Sequence, residues 1–100
     1  MRILSWNCRG VGRAPTVRAL KALVWYKGSD VLFVAETKVK SPKIDMLKRG
    51  MGFPFCFCVD SVGKSGGLAL FWKMGVELEV VYFDNNLIVA LVYSDLPENA

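Results

Sequence analysis

Asp30-Val31-Leu32-Phe33-Val34-Ala35-Glu36 is the stretch that decides the fold. Its five central residues are apolar without a break, the pattern of a short strand buried on both faces, as in a parallel sheet covered on each side. A parallel strand needs a neighbour reached through a crossover, usually a helix. Both lie upstream. Arg2 to Asn7 alternates loosely around Ile3, Leu4 and Trp6 and suits a short strand. Gly10-Val11-Gly12 makes a turn, and Pro15 then stands where a first helical position tolerates it. Val17, Leu20, Leu23 and Val24 share one face of the helix that follows, and Gly28 is its stop. The expected unit is a right-handed βαβ.

Downstream, Ser41-Pro42 opens a second helix with Ile44 and Leu47 inward and Lys43, Lys48 and Arg49 outward, closed by Gly50 and Gly52. Four strand-like runs follow: 53–59, 67–72, 77–83 and 87–93. The turns between them hold glycine or Asp84-Asn85-Asn86 and are too short for crossover helices, so an antiparallel meander is expected. The runs 67–72 and 87–93 are apolar at nearly every position, so the sheet needs cover on both faces, which two helices cannot give. At about 25 cal/mol per Å², several hundred Å² of wet apolar face costs many kcal/mol. Residues 1–100 are therefore expected to be one partial domain, the front of a larger two-sheet domain, or to bury that face against a partner or a second copy.

The chain is 53% hydrophobic and 22% charged over 100 residues, which excludes disorder and low complexity and allows one domain. No apolar run approaches the roughly 18 residues of a membrane span. Ser5, Asn7 and Arg9 interrupt the N-terminal region, so no secretory leader is read and an intracellular location is expected. With no histidine, Ser-His-Asp and Cys-His catalysis cannot operate within these residues. All thirteen Lys and Arg lie between Arg2 and Lys73 with four acids, a net +9 that five later acids lower to the overall +4, so the front of the chain is a candidate polyanion surface.

Several motifs carry nothing further. Gly63-Lys64-Ser65 lacks the first glycine of a phosphate loop, since that place is Cys58, and a strand rather than a helix follows. Gly10-x-Gly12 with Glu36 imitates a dinucleotide fingerprint, but Pro15 occupies the third glycine's place and the meander does not continue a doubly wound sheet. A dinucleotide-binding βαβ protein is thus a lesser alternative. Cys8, Cys56 and Cys58 read as small buried hydrophobes, and Trp6, Trp25, Phe33, Phe53, Phe55, Phe57, Phe71 and Trp72 as core. What remains is Asn7 and Glu36, polar residues at the ends of two adjacent parallel strands. Strand C-termini are where α/β sheets place their chemistry, and a carboxylate there suits solvent, a hydrogen bond or a hard cation such as Mg²⁺.

The segments Ile3-Leu4-Ser5-Trp6-Asn7-Cys8-Arg9-Gly10, Asp30-x-Leu32-Phe33-x-x-Glu36-Thr37-Lys38, Ser65-Gly66-Gly67-Leu68-Ala69-Leu70 and Val92-Tyr93 with Pro97 closely resemble the endonuclease/exonuclease/phosphatase (DNase I-like) superfamily. In order and spacing they look most like the endonuclease domain of plant LINE-type non-LTR retroelements. The resemblance covers nearly the whole chain. It implies a four-layer α/β sandwich, of which these residues are the N-terminal part, and cleavage of phosphodiester or phosphomonoester bonds with Mg²⁺ or Mn²⁺. For the retroelement branch it implies nicking of nuclear DNA.

By that resemblance Glu36 is the metal-ligand glutamate, Asn7 the amide that helps hold the metal site, and Tyr93 the phenol near the scissile phosphate. Arg9 stands where relatives carry an acid, which suits a phosphate contact better than a metal contact. Arg9, Lys38 and Ser65 are the nucleic-acid-contacting candidates. The family also uses an Asp-x-Asn element and a terminal Asp-His pair that readies water for in-line attack. Neither is present in these 100 residues, so the fragment is expected to be inactive, with a catalytically dead nucleic-acid-binding remnant as the alternative.

Overall fold

The computed structural model describes residues 1–93. The elements run β1 (Ile3–Asn7), α1 (Ala14–Lys27), β2 (Val31–Ala35), α2 (Ser41–Met51), β3 (Phe55–Val59), β4 (Leu68–Trp72), β5 (Leu78–Phe83) and β6 (Ile88–Val92). Proline stands in the first turn of each helix, where its missing N–H costs nothing, and a left-handed glycine ends each. After α2, Gly52 and Phe53 return their N–H groups to the carbonyls of Arg49 and Lys48, and Phe53 is buried beneath them, as in a Schellman stop. The start of α2 is capped from outside: Asp60 Oδ1 accepts both the backbone N–H and the hydroxyl of Ser41, at 2.9 and 2.6 Å.

β1 and β2 pair in parallel around α1, as the βαβ reading requires. The expected meander, however, divides between two sheets. Strand order in the larger is β1-β2-β4-β3, while β5 and β6 form a separate hairpin. β4 lies antiparallel between β2 and β3, with Phe71 opposite both Leu32 and Cys56. Its apolar residues thus gain a strand on each edge, the arrangement in which an all-apolar strand buries most. Beyond β4 the turn at 73–76, closed by Val76 N–H to Lys73 O, takes the chain out of the sheet, so β5 never meets β4.

Alternation then sorts side chains. Leu32, Val34, Ala69 and Phe71 face the helices and join Leu20, Val24, Ile44, Leu47 and Phe53 in the core. The register places Asn7, Phe33, Leu70 and Phe57 on the other face. The hairpin covers part of that face, with Phe83 edge-on to Phe57 at 5.0 Å. Val81, Tyr82, Phe83, Val89, Leu91 and Val92 of the hairpin remain exposed, an apolar surface the sequence led us to expect. Trp25 corrects the aromatic core reading, because it is 89% exposed. The buried stripe of α1 is Leu20 and Val24, and one residue further turns about 100° away from it. Phe55, at the sheet edge, is also exposed, stacked on Trp72 at 5.9 Å.

Candidate active site

Parallel pairing of Asn7 with Ala35 carries Asn7 and Glu36 to the same end of neighbouring strands. The ladder runs one step further through Cys8 N–H to Ala35 O, so the chain past β1 stays tied to the chain past β2. There the Asn7 amide donates to the Glu36 carboxylate at 2.5 Å, and the Asn7 Oδ1 accepts the Arg9 backbone N–H at 3.3 Å. The Cys8 thiol is buried beside them and donates to the carbonyls of Ala35 and Glu36. Burial raises its pKa, and the charge of Glu36 adds to that, so it is an inert thiol rather than a nucleophile.

The backbone around this pair is unusual. Among the described residues, the non-glycine positions with positive φ are Arg9, Glu36 and Lys38, at 55°, 54° and 59°. Each such residue costs on the order of 1–3 kcal/mol and persists only where its surroundings over-determine it. Here the surroundings are backbone hydrogen bonds: Thr37 N–H to Gly67 O at 3.1 Å, Lys38 N–H to Gly66 O at 2.8 Å, and Val11 N–H to Thr37 O at 2.9 Å. Thr37 is fully buried, and among the described residues its hydroxyl has no hydrogen-bond partner. A Cβ on Gly67, whose φ is +94°, would fall on that hydroxyl and lie 3.1 Å from the Lys38 nitrogen. Thr37 and Gly67 therefore set how Glu36 is presented. The sequence showed the Gly66-Gly67 pair only as a motif, because the contact joins segments thirty residues apart.

The remaining candidates are placed unevenly. Arg9 and Lys38 are exposed cations flanking the pair, with the Lys38 stem against Gly10. Ser65 donates to Val62 O at 3.2 Å and lines a groove of about 400 Å³ with Asp60, Gly66, Gly67, Asn85 and Asn86. The Asn85-Asn86 turn had read only as a hairpin connection, and nothing in its spacing marked it as part of a groove. Tyr93 is not brought to the pair. The hairpin tip, Asn85 and Asn86, shares the groove beside the Glu36 turn. Tyr93 lies at the hairpin's other end, its N–H bonded to Glu77 O, seven residues or roughly 23 Å of extended chain away. Its hydroxyl donates to Glu79 at 2.9 Å, and that bond raises the phenol's pKa. Among the described residues no hydrogen bond links Tyr93 to Asn7 or Glu36. Pro97 of the same motif lies outside the described residues.

The donors present suit a hard divalent cation. A carboxylate and an amide oxygen are ligands Mg²⁺ or Mn²⁺ accepts, and Mg²⁺ keeps several waters where protein supplies one or two ligands. Among the described residues no group of three or more His, Cys, Asp or Glu could hold a metal. No helix of those residues is long and apolar enough to cross a membrane.

A βαβ unit with two polar residues at its paired strand ends, followed by an antiparallel pair and a hairpin on the second face, defines a class: a DNase I-like α/β sandwich, here in its N-terminal part. Residues 4–98 match the Endonuclease/Exonuclease/phosphatase family, and the chain belongs to it. Solved structures share the fold. A Neisseria 3′ phosphatase bound to product DNA hairpin superposes with a TM-score of 0.64 at 19% identity over 93% of this chain. An AP endonuclease from Archaeoglobus fulgidus gives 0.61 at 19% identity over 94%, and the Xenopus laevis APE2 catalytic domain 0.54 at 23% over 80%. This chain spans 38% of the first two and 26% of the third. No curated protein gives a significant match.

Proposed function

We propose that this chain is the metal-holding part of a Mg²⁺- or Mn²⁺-dependent phosphodiester hydrolase that cuts DNA, of plant LINE-type retroelement kind and acting on nuclear DNA. The observation that carries the reading is the Asn7–Glu36 hydrogen bond at adjoining strand ends, on a backbone left-handed at Arg9, Glu36 and Lys38. Glu36 and Asn7 would hold the ion, which when bound supplies Lewis-acid stabilisation of charge on a phosphoryl oxygen. Asn7, by donating to Glu36, fixes the direction of its carboxylate. Arg9 and Lys38 offer exposed cations to the backbone phosphates on either side. Nucleic acid as the partner is supported by the DNA hairpin held by the Neisseria phosphatase. The retroelement reading is supported by the motif order and spacing alone.

These 100 residues contain no histidine, so no Asp-His pair prepares a water within them. Incubated with supercoiled plasmid and Mg²⁺, the chain is expected to leave the plasmid intact. Mn²⁺ should nevertheless broaden the NMR signals of residues around Asn7 and Glu36 first, and Glu36→Gln should remove that selectivity. Even broadening over all surface acids would sink the metal reading, and nicking that disappears in Glu36→Ala would sink the inactivity. A second reading, a nucleic-acid-binding remnant without catalysis, is favoured by the same missing histidine, and salt-dependent DNA retention without cleavage distinguishes it.

The domain reading has its own support, the exposed apolar hairpin. We place residues 1–100 within one larger sandwich whose further layers cover β5 and β6. In isolation the chain is expected to self-associate through that face, with a sedimentation profile that shifts with concentration. A monodisperse monomer with one sharp melting transition would contradict this.

A further inference from the structure

The end of the sheet away from Glu36 gathers a second set of groups. Arg2 precedes β1, Lys27 closes α1 and Lys73 follows β4. Hydrogen bonds draw them together: Asp30 N–H to Arg2 O at 2.8 Å, Lys73 N–H to Asp30 O at 3.0 Å, and the Arg2 guanidinium to Lys27 O at 3.0 Å. Among the described residues none of Lys21, Lys27 and Lys73 pairs with a carboxylate, and Asp30 is engaged by the Arg2 backbone N–H. Beside them the last turn of α1 exposes 89% of Trp25 and 80% of Tyr26, with the Lys27 amine 5.3 Å from the Tyr26 ring. A groove of about 540 Å³ between α1 and α2 is lined by Lys21, Val24, Trp25, Met51 and Lys73 with Gly28 and Gly50. The Lys21 amine lies over Gly50, where a Cβ would stand 2.8 Å from it.

The geometry points to a binding site for single-stranded nucleic acid in this groove, with a base stacked on the Trp25 indole and flanking phosphates on Lys21 and Lys73. The lining favours a polyanion. A second protein would need a broad apolar floor, and the lining offers only Val24, Met51 and one aromatic face. Its charges are all of one sign, which asks for a polyanion. Among polyanions, a single strand presents open π-faces alongside its phosphates, whereas a duplex hides its bases. The groove sits by the start of β2 and the Asn7–Glu36 pair by its end, with the five residues of β2, about 16 Å of strand, between them, so the site stands independently of the hydrolase reading.

Oligothymidylate titrated into the chain at low salt, followed by tryptophan fluorescence, tests this. Saturable quenching is expected with the single strand and not with its duplex. Trp25→Ala should weaken binding about 5- to 150-fold and Trp25→Phe should recover most of it, as loss and return of one stacked base require. Lys73→Ala should lower the salt dependence, and Glu36→Gln should leave the quenching intact. Quenching that survives Trp25→Ala, equal quenching by the duplex, or loss in Glu36→Gln would each overturn the assignment. So would a signal that follows protein concentration without oligonucleotide, which would mark a self-contact.

Discussion

Phe71→Ala is expected to cost about 3–5 kcal/mol of stability, a large share of the roughly 5–15 kcal/mol a domain typically has. Phe71 is fully buried in β4, opposite Leu32 on one side and Cys56 on the other, with the Phe53 ring at 5.8 Å. It is thus the side chain on which β2, β3 and the end of α2 converge, and the cavity left by its removal is walled by strands that cannot collapse inward. Chemical denaturation followed by circular dichroism measures the loss. A cost near that of a surface substitution, within about 0.5 kcal/mol, would mean β4 is not the inner strand of the sheet.

Gly67→Ala should rank second, and its consequence is felt at a distance. A φ of +94° is strained for any L residue, and the new methyl would fall on the Thr37 hydroxyl. Strain of about 1–3 kcal/mol is expected, with the overlap in addition. Because Thr37 N–H bonds to Gly67 O, relief by shifting either residue moves the backbone that presents Glu36. The expected result is lost stability together with displaced NMR signals for Glu36 and the Asn7 side-chain amide. The companion is Thr37→Ala, which removes the obstructing oxygen. Among the described residues that hydroxyl has no partner, so its loss forfeits no hydrogen bond to them, and the double variant should recover part of the Gly67→Ala deficit. Strict additivity of the two changes would show that they do not meet.

Local features were legible in the letters. The unbroken run Val31 to Ala35, the proline at each helix start and the glycine at each end are all short-range signals, and they carried β1, α1, β2 and α2 with their faces. Asn7 and Glu36 followed because two parallel strands in register bring their ends together. Neighbour relations were harder. An apolar strand records that it is interior without recording between which strands it lies, so the place of β4 between β2 and β3 was hidden. Trp25 misled because hydrophobicity says nothing of which side of a helix faces the sheet when Val24 already fills that side. Motif order does not give strand direction, so the place of Tyr93 at the opposite end of β6 from the Asn85-Asn86 turn was not legible. The fit of Thr37 to Gly67 was invisible for a steric reason, since no pattern marks where an absent side chain would have collided.

The tie between residues 37–38 and 66–67 has a consequence for how relatives are compared. The presentation of the acid depends on a hairpin approach that contributes no ligand and no charge. Drift confined to that approach would re-aim the glutamate of a relative while its asparagine and glutamate still matched letter for letter, so a comparison of those two positions alone misses a change in their geometry.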